Sequence, residues 1–435
     1  MQESLSFAPT LEIQHFRLVA MRDMYEKLPL DYASYLVQIG QLTQAIETLE
    51  RGRGLLWSEM RGLRVSIDRL CAVNLPLAEK FTAVNRDLET LTASGSPVVW
   101  MQDGQPGGGE GMAPFGLLVV KQRKLVEERE RLISQIRAQP GFESFLILPS
   151  FNTLRSAAAG GPVILIIHSR WRSDIIILLH NSPSSLIPTS DDFYDRAKGL
   201  HEKLLAARNT GLDSGEYEDT LEVLRHLNDL VGCPVIERLR ELRIPEQSRV
   251  WWCPTSVFCS LPLHAMGPIS SNGPTKLYFS DIYISSYTPT LSALIESREP
   301  STQPLDVPSM LLVVQPDDEI QSSIEEMHIV QAVCPSVETL NGKVATPIVT
   351  LDCLRRHQCF HISCHGELET GKPFDAYFEL YKGARLTLLD IVRSQLSSAE
   401  FTFLSACHTA EITEESIANE GLHLAAAVQY SRSGA

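Results

Sequence analysis

Two segments of the sequence place a reactive side chain just after a run of apolar residues. His365 follows the run Cys359–Ser363, and Cys407 follows the run Phe401–Leu404. A cysteine thiolate and an imidazole that carries its proton are a common pair in nucleophilic catalysis. If the two runs are neighbouring parallel strands, their carboxyl ends meet at one edge of the sheet and the two side chains emerge side by side. The sequence therefore predicts a Cys/His dyad formed by His365 and Cys407.

Other cysteines and histidines near His365 have simpler interpretations. Cys353, Cys359 and Cys364 are expected to be buried, because free cysteine commonly behaves as a small apolar residue. His361 alternates with apolar residues on its strand and is expected to be a hydrogen-bonded core histidine. A zinc site is the alternative, but a strand directs Cys359 and His361 to one face, whereas Cys364 and His365 lie beyond its end. No paired Cys-x-x-Cys sets occur, so no metal is expected.

The elements that must position the dyad lie after Pro140. The apolar, β-rich runs are Val163–Ile167, Ile175–Leu179, Val250–Trp252, Ile282–Ser286, Met310–Val314, Cys359–Ser363 and Phe401–Leu404. Helical patterns fall at residues 191–208, 216–230, 289–298, 321–333, 387–396 and 420–430. Strands that alternate with helices predict an α/β domain with a mostly parallel sheet.

The composition of each strand predicts whether it lies at the centre or at the edge of the sheet. Met310–Val314, Phe360–Ser363 and Phe401–Leu404 are nearly continuous apolar runs and are expected to be buried central strands. Val163–Ile167 and Ile175–Leu179 are joined by a short polar segment, which predicts an antiparallel hairpin at one edge of the sheet.

The N-terminal part of the chain has helical periodicity. Residues with the spacing of one tetratricopeptide repeat are Ala33, Leu36, Gly40, Ala45, Leu49 and Gly52. Gly40 is expected to end one helix, and an unrelated helical hairpin is the alternative. The predicted domains are a helical region at 1–92, a Gly/Pro-rich flexible loop at 93–116, a connecting helix at 117–139 and an α/β domain at 140–435.

Composition limits the classes of function. The 435 residues carry a formal net charge of −15, with 38 Lys and Arg against 53 Asp and Glu. No basic stripe occurs, so no nucleic-acid partner is expected. The nine cysteines are odd in number and widely spread, which is not the pattern of a disulfide framework. With no secretory signal and no long apolar run, the expectation is a cytoplasmic protein without a membrane partner.

Taken together, a series of motifs in residues 140–435 resembles the CHAT domain, a branch of the caspase-like superfamily of cysteine peptidases. The motifs are Pro140-Gly-Phe-Glu-Ser-Phe-Leu146, Gly161-Pro-Val163, Arg249-Val-Trp-Trp-Cys-Pro-Thr255, Leu261-Pro-Leu-His-Ala-Met-Gly267, Ser285-Ser-Tyr-Thr-Pro-Thr-Leu291, Phe360-His-Ile-Ser-Cys-His-Gly366, Arg385-Leu-Thr-Leu-Leu-Asp-Ile391 and Leu404-Ser-Ala-Cys-His-Thr-Ala410. The sequences of these motifs most resemble those of fungal CHAT proteins, which often carry tetratricopeptide repeats upstream. Family members normally continue beyond Ala435, so a chain truncated at the C-terminus is expected.

The resemblance implies a caspase-like cysteine endopeptidase that cleaves protein substrates. It implies that Cys407 is the nucleophile, that His365 handles the proton, and that the backbone N–H groups of Gly366 and Cys407 form the oxyanion hole. No cofactor is implied, and the helical repeats are expected to bind protein partners and control the activity. The alternative is a catalytically inactive CHAT scaffold or signalling module that binds protein partners.

Overall fold

A computed structural model describes most of the chain as helices, strands and short connections. The described residues are 28–53, 70–85, 87–88, 112–143, 145–146, 149–209, 214–268, 277–298, 309–315, 322–334, 336–367, 375–394, 396 and 399–406. The helices are α1 Leu28–Gln38, α2 Leu42–Gly52, α3 at residues 70–85, α4 Met112–Arg137, α5 Phe151–Leu154, α6 Phe193–Asn209, α7 Ser214–Leu227, α8 Cys233–Glu241, α9 Phe279–Ile282, α10 Leu291–Glu296, α11 Ser322–Val333, α12 Pro347–Arg356 and α13 Leu388–Ser394. The strands are β1 Val163–His168, β2 Ser173–Leu178, β3 Ser185–Pro188, β4 Arg249–Pro254, β5 Ile284–Tyr287, β6 Met310–Val314, β7 Glu338–Asn341, β8 Cys359–Ser363, β9 His365–Glu367, β10 Tyr377–Leu380, β11 Ala384–Thr387 and β12 Phe401–Ser405.

The chain forms two compact units. One takes in Leu56–Leu148, and the other takes in Met24–Leu55 together with Pro149–Ser433. We call the second the larger unit. The domain limits given in the sequence analysis stay predictions. Helices α1 and α2, however, belong to the same compact unit as the α/β part of the chain. In the other unit, α3 and α4 share a core in which the rings of Phe81 and Phe145 meet edge to face.

A transmembrane helix needs about 20 consecutive, mostly apolar residues. None of the helices in the described part of the chain has both the length and the apolarity for it.

A five-stranded sheet in the larger unit has the order β3-β2-β1-β4-β5. Strands β1, β4 and β5 are parallel, whereas β1 to β3 form an antiparallel meander. The predicted hairpin of β1 and β2 is therefore confirmed as an antiparallel pair, and the unpredicted strand β3 extends it and forms the edge. Every residue of β2 is buried, because helices cover both faces of this sheet.

The helical pair α1–α2 covers part of one face of the five-stranded sheet. Leu36, Ala45 and Leu49 are buried, as their spacing predicted, and they share a core with residues of β1 and β2. Gly40 ends α1 with a φ of +76°, a conformation that glycine adopts without steric cost. The N–H groups of Gly40 and Gln41 bond to carbonyls of the last turn of α1, which completes a Schellman-type cap.

Polar contacts from α2 fasten this helical pair to the sheet. Arg53, directly after α2, is 5% exposed and donates hydrogen bonds to the main-chain carbonyls of Cys253 and Pro254 at the end of β4. Its guanidinium also lies 3.0 Å from Cys253 Sγ. Glu50 accepts hydrogen bonds from the N–H groups of Leu291 and Ser292, which are among the donors that a helix N-terminus leaves unpaired.

Two thiols lie near this contact, the buried Cys253 and the half-buried Cys259. Burial raises the pKa of Cys253, although the nearby Arg53 acts against this shift. Burial also raises the pKa of Cys259 to about 12. Both side chains are therefore protonated thiols at neutral pH.

A four-stranded sheet carries the second part of the larger unit. Its order is β12-β8-β6-β7, and all neighbouring strands are parallel, as the α/β pattern predicted. Strands β6 and β8 are central and buried, as expected. Strand β12 differs from the expectation: among the described residues it pairs only with β8, and Phe401 and Phe403 are 57% and 49% exposed. A three-stranded antiparallel sheet, β11-β10-β9, follows β8.

Replacing Arg53 with alanine is expected to lower the free energy of unfolding of the larger unit by about 2–3 kcal/mol. The reason is that the carbonyls of Cys253 and Pro254 lose their charged hydrogen-bond donor. Urea unfolding of the full chain measures the change. The matched control is Arg51→Ala, an exposed arginine in the last turn of α2, which should change stability by less than about 0.5 kcal/mol. Equal losses for the two variants would contradict a specific role for Arg53.

Candidate active site

His365 lies where the chain leaves the four-stranded sheet. Strand β8 ends at Ser363, Cys364 forms a bend, and His365 begins β9 opposite Glu379 of β10. His365 is half-buried and the following Gly366 is buried. The structure therefore places His365 at the carboxyl end of a buried parallel strand, as the sequence predicted.

The strand that leads to Cys407 runs beside β8 in the same direction. Strands β8 and β12 pair in register from Cys359 opposite Phe401 to Ser363 opposite Ser405. This parallel pairing meets the condition on which the predicted dyad rests. Cys407 itself lies outside the described residues, so its place beside His365 stays a prediction. The oxyanion hole of the Gly366 and Cys407 N–H groups likewise stays a prediction.

A carboxylate joins the ends of β8 and β12 on one face of the sheet. Glu326 of α11 accepts a 2.6 Å hydrogen bond from the Ser363 hydroxyl at Oε2. Its Oε1 lies 3.0 Å from Nε2 of His361, an ion-pair distance when that ring is protonated. The Ser405 hydroxyl is a further hydrogen-bond partner of Glu326. We call Glu326, His361, Ser363 and Ser405 the strand-end cluster.

The strand-end cluster favours the ionised form of Glu326. Partial burial alone disfavours a carboxylate, but the hydrogen bonds from Ser363 and Ser405 and the contact with His361 outweigh it. The pKa of Glu326 therefore lies below its ordinary value. The result is a negative charge under the ends of both strands, two residues before each member of the predicted dyad.

His361 has a place in the core, as expected. It is 6% exposed, and its ring lies 4.7 Å from the ring of Phe403 in β12. Both ring nitrogens of His357 also have polar partners. Its Nδ1 contacts the carbonyl of Cys353 at 2.8 Å, and its Nε2 lies 3.1 Å from Glu338. In the part of the chain that the structure describes, no group of three or more His, Cys, Asp and Glu side chains has an arrangement that could hold a metal ion.

Cys364, the cysteine next to His365, is 1% exposed. Burial, together with the negative charge of Glu379, raises the pKa of this thiol to about 12. A nucleophilic cysteine needs the opposite shift, toward the thiolate. Cys364 is therefore a structural residue, as the sequence indicated.

Sequence reasoning did not identify Glu326. The signal for it lies in the buried stripe of α11, which has Ser323, Glu326, Met327 and Val330 at helical spacing. Met327 packs against Leu312 of β6 in this stripe. A carboxylate inside the stripe that faces a sheet needs hydrogen-bond donors, and Ser363 and Ser405 supply them. Only the strand register shows that these two serines lie opposite each other.

The architecture is a mixed α/β fold with a parallel sheet flanked by helices and a helical region at its N-terminal side, consistent with a caspase-like fold. Comparison of the sequence with known families supports the same class. Residues 221–431, a little under half of the chain, match the CHAT domain. The match begins within α7 and spans both predicted dyad residues. No curated protein matches the chain.

Cys364 is expected to resist alkylation in the folded protein. With a pKa of about 12, only about one thiol in ten thousand is ionised at pH 8. Iodoacetamide at pH 8 should therefore modify Cys364 more than a hundredfold more slowly than the exposed Cys71, as measured by peptide mass spectrometry. In denaturant the two rates should become equal. Similar rates in the folded protein would contradict the burial of Cys364.

Glu326 is expected to make stability depend on pH in the acid range. Because its folded pKa is lowered, its contribution is present above the ordinary value of about 4.3 and is lost as the pH falls through the folded pKa. The free energy of unfolding of the wild type should therefore fall more steeply from pH 5 to pH 3 than that of Glu326→Gln. Glu325→Gln, at an exposed position of the same helix, should follow the wild type. Parallel curves for the wild type and Glu326→Gln would contradict the ionised state of Glu326.

Proposed function

We propose that this chain is a caspase-like cysteine endopeptidase in which Cys407 is the nucleophile and His365 carries the proton. The observation that carries the proposal is the parallel register of β8 and β12, with Ser363 opposite Ser405. Each proposed dyad residue follows its serine by two positions. The match of residues 221–431 to the CHAT domain supports the same chemical class.

The proposed reaction uses a thiol, an imidazole and water. His365 takes the proton from Cys407 Sγ, and the thiolate attacks the carbonyl carbon of a peptide bond, whose electron pair moves to the oxygen. Re-formation of the carbonyl breaks the C–N bond, and His365 gives its proton to the leaving amine. Water then attacks the thioester and gives a proton to His365, and the C–S bond breaks to release the acid and restore the thiolate.

Stabilisation of the carbonyl oxygen is assigned to the backbone N–H groups of Gly366 and Cys407. One such donor typically contributes roughly 3 kcal/mol to lowering the barrier. Gly366 lies directly after His365 in β9, so the proposed oxyanion donor is adjacent in the chain to the proposed proton carrier. No cofactor takes part in this scheme.

Control by protein partners is proposed for the helical pair α1–α2. In this pair and directly after it, two side chains contact the rest of the unit. Arg53 binds the end of β4, and Glu50 binds the start of α10. A protein bound to the pair would act on the strand ends through these contacts. The tetratricopeptide character of the pair, a fungal type and a cytoplasmic location belong to the same proposal.

Labelling with thiol-directed peptide probes tests the proposed dyad. A pool of peptide vinyl sulfones with different P1 residues should modify Cys407, because its thiolate forms beside His365. Cys407→Ala and His365→Ala should each abolish labelling, as measured by mass spectrometry of the modified peptide. Cys364→Ala should label like the wild type.

The matched histidine control is His328→Ala, at an exposed position of α11. It should label at the wild-type rate, so a loss specific to His365→Ala reports the dyad. Equal labelling of the wild type and Cys407→Ala would contradict the assignment of the nucleophile. A folded wild type that no probe modifies would instead favour the alternative, an inactive CHAT scaffold.

A further inference from the structure

The last paired position of β8 and β12 is polar, although the strands are otherwise mostly apolar. Ser363 and Ser405 lie opposite each other there, after the apolar pair Ile362 and Leu404. Ser363 is 1% exposed, and a buried hydroxyl is costly unless it is hydrogen-bonded. Both hydroxyls find the same acceptor, the carboxylate of Glu326. The polar pair and the carboxylate therefore form one unit.

We propose that Glu326 is a positioning residue for the catalytic dyad. Its carboxylate holds the ends of β8 and β12 in register and thereby fixes His365 relative to Cys407. The inference rests on the proposed function, because it assigns a purpose to the alignment of those two residues. Glu326 is then a third functional residue beside His365 and Cys407, and it acts through Ser363 and Ser405.

A carboxylate suits this task because it has two oxygens and about four sites that accept hydrogen bonds. One oxygen of Glu326 takes the hydroxyl of Ser363, while the other lies 3.0 Å from His361. Hydrogen bonds to a charged acceptor are roughly twice as strong as neutral ones. With the Ser405 hydroxyl as a further partner, this one side chain contacts both β8 and β12 and can hold the two strands together.

The helix that carries Glu326 is itself fixed by packing. Met327, the next residue of α11, packs against Leu312 and Val314 of β6. These two residues lie opposite His361 and Ser363 in the sheet register. The carboxylate is therefore held by a packed helix on the same face as its donors, and packed elements position functional groups more precisely than loops do.

Chain geometry makes the strand ends decisive for the dyad. Two residues span at most about 7 Å, so His365 and Cys407 are tethered closely to Ser363 and Ser405. A slip of one residue between the strands would displace Ser405 relative to Ser363 by about 3.3 Å along the strand direction. Because a misplacement of about 1 Å can cost a hundredfold in rate, loosening this polar pair should impair proton transfer between Cys407 and His365.

Alkylation of Cys407 by iodoacetamide measures this alignment without a peptide substrate. Glu326→Ala is expected to slow Cys407 modification at pH 7 by up to about thirtyfold, because fewer thiolates form when His365 is displaced and a thiol of ordinary pKa is only about 3% ionised at that pH. The pH profile of the rate should shift toward the ordinary thiol pKa of about 8.5. Cys71, in the same digest, is the internal reference and should keep its rate.

Matched variants separate positioning from general destabilisation. Glu325→Ala, at the exposed neighbouring position, should leave the Cys407 rate and its pH profile unchanged. Glu326→Gln keeps one acceptor oxygen and should lose less than Glu326→Ala. Ser405→Ala should slow modification, and Glu326→Ala combined with Ser405→Ala should be no slower than Glu326→Ala alone, because the residues act as a unit. If Glu326→Ala does not fold, Ser405→Ala carries the test.

Two different results overturn two different statements. If Cys407 of the wild type reacts no faster than Cys71, and His365→Ala does not change that rate, the dyad and the proposed function fail. If the wild type reacts fast and His365→Ala slows it, but the folded Glu326→Ala and Ser405→Ala variants keep the wild-type rate and pH profile, the dyad stands and the positioning role of Glu326 fails.

Discussion

Strand β8 pairs with β6 on one side and with β12 on the other, and all three strands run in the same direction. Parallel strands bury both faces, so β8 is apolar except where His361 and Ser363 meet a partner on α11. Parallel pairing also brings the carboxyl ends of neighbouring strands to one edge. The candidate site depends on this constraint, because the proposed pairing of His365 with Cys407 requires it.

Charged side chains on or next to helices bind the ends of strands in the five-stranded and the four-stranded sheet of the larger unit. Arg53 donates to the carbonyls of Cys253 and Pro254 at the end of β4. Glu326 accepts from hydroxyls at the ends of β8 and β12. In each case the charge is matched to the groups present at the strand end. Each contact also fixes a helix relative to the sheet that it covers.

Apolar runs in the sequence predicted the central strands well, since β6 and β8 begin and end at the expected residues. Short strands such as β3 and β7 were missed because polar residues interrupt their apolar pattern, and their pairing depends on neighbours distant in sequence. The buried character predicted for β12 was wrong at Phe401 and Phe403, because composition does not report which face of a strand is covered. Glu326 escaped prediction for a related reason: its donors lie on two strands that only the folded register brings together.

The buried thiol beside Arg53 has a consequence for oxidation. Peroxide attacks thiolates, and burial keeps Cys253 protonated. Its sulfur is also shielded by Arg53, whose guanidinium lies 3.0 Å away. Oxidative damage at Cys253 therefore requires the helical pair to separate from the sheet first, and sulfenic acid at this position would record that opening.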